Sequence, residues 1–127
     1  GKRIGNEGFF FEPTVMTDVP MNARIMNEEP FGPIAPMAPF DEVEEAIARG
    51  NRVAYGFAAY IYTQSSSVAA KFVAEIEAGN IGINQMSPSL PDAPVGGVKD
   101  SGYGYEGGRE GIAAFQQMKL VSQTFLP

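Results

Sequence analysis

The alternation of apolar runs and amphipathic stretches between residues 34 and 84 constrains this chain more than any other feature of it. The run Phe57-Ala58-Ala59-Tyr60-Ile61-Tyr62 is apolar throughout, as in a strand covered on both faces. A second short apolar strand, Ile81-Gly82-Ile83-Asn84, follows one helix later. That helix opens near residues 65–67, sets Ala69, Phe72, Val73 and Ile76 on one stripe, and is ended by Gly79-Asn80. An earlier helix begins at Asp41, which can cap it, with Glu44 three residues on completing a capping-box-like start. Val43, Ala46 and Ile47 share its inner face, and Gly50-Asn51 closes it. Before it, prolines at 30, 33, 36 and 39 forbid a long helix, so residues 34–40 are expected to be extended, with proline at edges or strand ends. Strand, helix, strand, helix, strand is the pattern of a parallel sheet with crossover helices. The expected class is α/β.

The flanks are less regular. Residues 1–8 show no periodicity, start without Met, and read as a loop cut from something longer. Phe9-Phe10-Phe11-Glu12-Pro13-Thr14-Val15-Met16 is rich in strand formers, and Pro13 confines it to an edge. Residues 20–27 suit a short helix with Pro20 in its first turn. Residues 85–108 form a long loop dense in Pro, Gly and Ser, a length usually kept for function. A short helix over 109–117, burying Ile112 and Phe115, and a final strand over 119–125 complete the expected elements.

Composition excludes several classes of function. The formal net charge is −6 and no basic cluster exceeds Lys2-Arg3, so the basic face that a nucleic acid needs is missing and no nucleic-acid partner is expected. With no cysteine, the chain has no disulfide, thiolate metal site or thiol catalysis of its own. With no histidine it also lacks the commonest general base and metal ligand, and no metal site is expected. No apolar stretch approaches the roughly 20 residues of a membrane span, and no signal-peptide core opens the chain. A cytoplasmic protein with no membrane partner is expected.

Two motifs remain. Gly102-Tyr103-Gly104-Tyr105-Glu106-Gly107 matches the dinucleotide fingerprint formally, but lacks the strand before it and the acidic ribose partner after it. The second is Glu28-Glu29-Pro30-Phe31-Gly32-Pro33. Its carboxylates are either solvated charges at a helix end or, beside a rigid turn, acceptors for two neighbouring sugar hydroxyls. In the second case the Phe31 ring can press on a planar ligand.

Taken in order, several motifs resemble the NAD(P)-dependent aldehyde dehydrogenase family over nearly the whole chain. They are Gly8-Phe9-Phe10-Phe11-Glu12-Pro13-Thr14-Val15, Glu29-Pro30-Phe31-Gly32-Pro33, Tyr55-Gly56-Phe57-Ala58-Ala59, Ala78-Gly79-Asn80-Ile81-Gly82-Ile83-Asn84 and Pro94-Val95-Gly96-Gly97-Val98-Lys99-Asp100-Ser101-Gly102. The resemblance implies the C-terminal part of a three-layer, mainly parallel α/β catalytic domain over 1–117. A terminal oligomerisation strand over 118–127, through which a homodimer or homotetramer forms, would follow. It implies that Glu29 holds the nicotinamide-ribose hydroxyls of NAD or NADP and that Phe31 packs against the nicotinamide end. In the family a cysteine thiolate attacks the aldehyde, hydride passes to the cofactor, and water activated by a glutamate hydrolyses the thioester. Those catalytic groups precede this segment in family members, so no catalytic residue is assigned here and the segment alone is expected to be inactive. Residues 85–95 correspond to a substrate-lining loop. Ser87, Ser89 and Asp92 make it polar and Val95 replaces a common Phe, which is similar to the succinate-semialdehyde dehydrogenase branch. Ser89 and Val95 are therefore the expected substrate contacts. Tyr105 stands where many relatives have Arg, so no contact of that Arg carries over. The alternative is a non-catalytic assembly module acting through the terminal strand.

Overall fold

A computed structural model of the chain describes residues 1–87 and 90–126. The chain divides into two compact units, Gly1–Glu42 and the remainder from Val43 onward. The described strands form three two-stranded ladders, two of them parallel, and all three α-helices lie in the second unit.

In the first unit, β1 (Thr14–Met16) pairs in parallel with β2 (Ile34–Pro36), Thr14 opposite Ile34 and Met16 opposite Pro36. The strand expected over residues 9–16 is thus shorter than its composition suggests. Pro13 cannot donate to a ladder, and the segment before it is used differently. Arg3 and Phe11 form an isolated antiparallel bridge, and the Arg3 guanidinium donates to the carbonyls of Gly5, Asn6 and Gly8 at 3.2, 3.3 and 2.9 Å. The opening loop is therefore closed by a side chain. The helix expected over 20–27 is a single 3-10 turn, Arg24–Met26. Asn27 Nδ2 donates to Met21 O and Ala23 O at 2.9 and 2.7 Å, competing with a regular helical end.

The second unit begins with α1 (Val43–Asn51), whose face of Val43, Ala46 and Ile47 turns inward as expected. After β3 (Tyr55–Gly56) come β4 (Ala58–Ile61), α2 (Ser66–Glu75) and β5 (Asn80–Ile83). β4 and β5 pair in parallel, Ala58 opposite Asn80 and Ile61 opposite Ile83, with α2 as the crossover. Ser65 caps α2, its hydroxyl accepting from Val68 N at 3.3 Å. Ile47 and Phe72, at 4% and 8% exposure, are the buried apolar side chains among the described residues, one on each of the two packed helices. The expected stripe on α2 needs one correction: Val73 is 45% exposed, and Val68 takes the inward place beside Ala69. The strand over 57–62 also differs from expectation. Tyr60 and Tyr62, which share a face, are exposed because a two-stranded ladder with one helix layer covers one face only, and Phe57 is exposed in the bend before β4.

Residues 90–108 are more ordered than their composition implied. Two residues, Val98–Lys99 (β6), pair antiparallel with β3, and Val95 and Glu106 form a further bridge. The last helix, α3 (Gly108–Ala113), is shorter than expected and leaves Ile112 and Phe115 exposed rather than buried. It starts from Gly107 and Gly108 at positive φ with no side-chain cap, which is a weak nucleus. Residues 117–126 make no strand or helix, so the expected final strand finds no partner among the described residues.

Gly79 was expected to end α2, but the helix ends at Glu75 and Gly79 serves a close approach instead. A β-carbon there would fall inside the van der Waals contact of Gly96 O and stand 2.9 Å from Gly96 C. Backbone cannot yield as a flexible side chain can. Gly79→Ala should therefore destabilise the protein by about 1–3 kcal/mol or more, seen as a lowered midpoint in thermal or urea unfolding; an unchanged midpoint would contradict this packing.

Candidate functional site

Local chain chemistry explains the exposed turn after the 3-10 helix. Pro30 disfavours a helical conformation for Glu29, so the chain leaves the turn extended. Two tight closures follow, Gly32 N to Pro30 O at 3.0 Å and Ile34 N to Gly32 O at 2.8 Å. Each spans two residues, and the second has Pro33 at its centre, where the fixed φ of the ring suits an inverse γ-turn. Thr14 N donates to Pro33 O at 2.8 Å and fastens the turn to β1. The side chains of Glu29 and Phe31 thus leave a short rigid segment that enters β2.

The two adjacent glutamates differ in their partners. Arg24 Nε lies 3.2 Å from both Glu28 carboxylate oxygens, and Arg24 Nη2 lies 2.7 Å from Oε2. This fork holds the Glu28 carboxyl below its ordinary range, chiefly through the hydrogen bond and secondarily through charge. Arg24 is raised for the same reasons. Both side chains are well exposed, so the pair adds little to stability. Glu29 has no hydrogen-bonding or charged partner among the described residues. Phe31 is 94% exposed. An acceptor-only carboxylate without a partner, next to an open aromatic ring, can take vicinal hydroxyls and a planar group. Beside them, Gly32, Pro33 and Ile34 join Pro13, Thr14 and Val15 in lining a shallow apolar depression.

Arg24 is a residue that the sequence reading passed over. Its spacing of four residues from Glu28 was the available signal, since that spacing brings side chains together on one helical turn. It selects between the two carboxylates by occupying one of them.

In the second unit, Val95 is half-buried and exchanges backbone hydrogen bonds with Glu106, 2.8 Å in each direction. Leu90, Pro91, Asp92 and Ala93 form a turn closed by Ala93 N to Leu90 O at 3.1 Å, and Asp92 is exposed on it. Ser89 lies outside the described residues. The Gly102-to-Gly107 motif lacks the setting of a dinucleotide fingerprint. The strand before it is the two-residue antiparallel β6, and φ is positive at Gly102, Gly104 and Gly107. Among the described residues no cluster of acidic side chains is suited to a metal, and no helix is long and apolar enough to cross a membrane.

Comparison with known proteins is consistent in every direction. Residues 1–121 match the aldehyde dehydrogenase family. The chain is 46% identical over 118 residues to 4-(hydroxymethyl)benzenesulfonate dehydrogenase TsaD1 of Comamonas testosteroni, covering 93% of this chain and 25% of that protein. It is 44% identical over 121 residues to succinate-semialdehyde dehydrogenase of Paenarthrobacter nicotinovorans, covering 95% and 27%. Among solved structures, lactaldehyde dehydrogenase of Escherichia coli superposes with a TM-score of 0.89 at 34% identity, over 94% of this chain and 25% of that one. Betaine aldehyde dehydrogenase of Staphylococcus aureus, solved in complex with NAD+, gives 0.82 at 35% identity, over 90% and 24%. The chain thus spans about a quarter of the length of the relatives it matches.

The Arg24–Glu28 fork has a measurable consequence. Because the folded-state pKa of Glu28 is lowered, its contribution to stability is present above the ordinary glutamate range and lost as pH falls through the folded value. An NMR titration should place the Glu28 midpoint below that of a solvated glutamate, and Arg24→Met should return it upward. A midpoint that does not move in the variant would remove Arg24 as the cause.

Proposed function

The chain belongs to the aldehyde dehydrogenase family, and on that premise we propose that it is one part of an enzyme that oxidises an aldehyde to a carboxylate with NAD or NADP. The match of residues 1–121 carries this reading. The free carboxylate of Glu29 and the open ring of Phe31 support it, because they fit a sugar diol and the planar group attached to it. When bound, the dinucleotide supplies the hydride acceptor. In this reading Glu29 accepts from both ribose hydroxyls and fixes the orientation of the ribose, while Phe31 covers the nicotinamide end. Glu29 is a binding residue and no general base is assigned to it. The chain contains no cysteine. The thiol nucleophile would then come from residues beyond these 127, and the segment by itself would be inactive.

The proposed substrate is a semialdehyde such as succinate semialdehyde. Relatives named for it, at 44% identity in Paenarthrobacter nicotinovorans and 43% in Sinorhizobium fredii, support this class. The relative from Comamonas testosteroni is named for a benzenesulfonate. Both names pair the carbon to be oxidised with an anion at the far end, a sulfonate in one and a carboxylate in the other. We therefore assign Ser89 to a hydrogen bond with that anion and Val95 to the wall beside it. The exposed turn position of Asp92 leaves room for its charge to face solvent. A cytoplasmic location is proposed with it.

A homodimer or homotetramer formed through residues 118–127 completes the proposal. Met118, Leu120, Val121 and Phe125 are all strongly exposed, and the segment has no partner strand among the described residues. The same observation favours the second reading, a non-catalytic assembly module. Activity separates the two. The full-length protein carrying this segment should produce NAD(P)H only when an aldehyde is added, fastest with a semialdehyde. In it, Glu29→Gln should raise KM for the cofactor about ten- to a hundredfold, the worth of a hydrogen bond to a charged group. A KM for cofactor that stays at the wild-type value would exclude Glu29 from the ribose, and a full-length protein with no aldehyde-dependent turnover would leave the assembly reading.

A further inference from the structure

We infer that Asn80 and Asn84, the residues that open and follow β5, are positioning residues that clamp the two stems of residues 85–95 and so set where Val95 stands. The functional part of this inference rests on the proposed role of that loop in meeting the aldehyde.

Asn84 holds the first stem. The parallel ladder of β4 and β5 ends at Ile61 opposite Ile83, and Asn84 N donates to Ile61 O at 2.8 Å. There the chain turns, with Asn84 at φ 54°, a left-handed conformation that asparagine tolerates better than most residues. Its carboxamide then continues the ladder that its backbone has left. Oδ1 accepts from Thr63 N at 2.9 Å, and Nδ2 donates to Thr63 O at 2.9 Å. Only a side chain with a donor and an acceptor side by side can pair with both groups of one peptide residue. Glycine would keep the turn and lose both bonds. Aspartate would keep the acceptor and lose the donor.

Asn80 holds the second stem. Its Nδ2 donates to Phe57 O at 2.8 Å and to Gly96 O at 2.9 Å, joining β5 to the residue directly after Val95. From the other side, Val95 is held by its two backbone bonds to Glu106. Val95 is therefore fixed between β5 and Glu106, while Asn84 fixes the direction in which the loop departs. A change at either asparagine frees one stem without removing a residue from the loop. The displacement would be felt where Val95 meets the substrate.

A purely structural role predicts lower melting temperatures with unchanged Michaelis constants. The positioning role predicts a split. In the full-length enzyme, Asn84→Asp, Asn84→Gly and Asn80→Ala should each raise KM for the aldehyde about three- to tenfold, the worth of roughly one hydrogen bond, while KM for NAD(P)+ stays unchanged. Amide hydrogen exchange at residues 85–87 and 90–96 should quicken in the same variants. An aldehyde KM that stays at the wild-type value in folded, active variants overturns the inference, whatever happens to the melting temperature. Should Asn80→Ala fail to fold, Asn84→Asp at its exposed position decides alone. If wild-type enzyme turns over no aldehyde, the proposed function fails instead. The exchange measurement, which needs no catalysis, then decides the clamp: quickened exchange supports it and unchanged exchange overturns it.

Discussion

The Lys99 ammonium is the point on which the second unit depends. It donates to Asn51 O at 2.8 Å and Val53 O at 3.1 Å and pairs with the Glu77 carboxylate. Three donors meet three acceptors drawn from the end of α1, the chain after it, and the connection between α2 and β5. Lys99 itself stands at φ 56°, which costs a side-chain-bearing residue about 1–2 kcal/mol. Hydrogen bonds to a charged group contribute about 1.5–3 kcal/mol each when sheltered. With the side chain 26% exposed, even a discounted set of three outweighs the backbone cost. β6 is therefore held in place by its own lysine as much as by its two-residue ladder.

This is a fold secured more by side chains bonded to backbone than by a large apolar core. Ile47 and Phe72 form a small centre between α1 and α2. Around it, Asn51 donates to Glu75 O and accepts from Glu77 N, each at 2.8 Å, tying one helix end to the other. Ser101 Oγ accepts from Gly56 N at 3.0 Å. Asn80 and Asn84 do the same for β5. Each carboxamide offers one donor pair and one acceptor, which suits irregular backbone that no ladder can reach. Meanwhile Phe57, Tyr60 and Tyr62 present apolar surface on the strand that the sequence marks as covered on both faces.

Much of this organisation was legible from residue order. The inward face of α1, the start of α2 near residues 65–67 and the parallel pairing of β4 with β5 follow from period and punctuation, because a crossover helix leaves few other arrangements. The errors of burial share one cause. Val73, Ile112 and Phe115 are apolar at helical spacing, yet exposed. Spacing says which residues share a face, and cannot say whether another element covers it. Likewise Glu28 and Glu29 are indistinguishable as letters. Only the position of Arg24 assigns one to an ion pair and leaves the other open.

By itself, then, the sequence determined the α/β class, the family and the rigid turn that presents Glu29 and Phe31, since all three depend on local chemistry or on motif order. Tertiary structure decided the rest. It gave Gly79 its purpose through contact with the backbone of Gly96, tied Val95 to Glu106 through a bridge, and gave Lys99 two backbone acceptors from residues more than forty positions earlier. Those relations join points distant in sequence, and no local propensity or period carries information about which backbone atoms will meet.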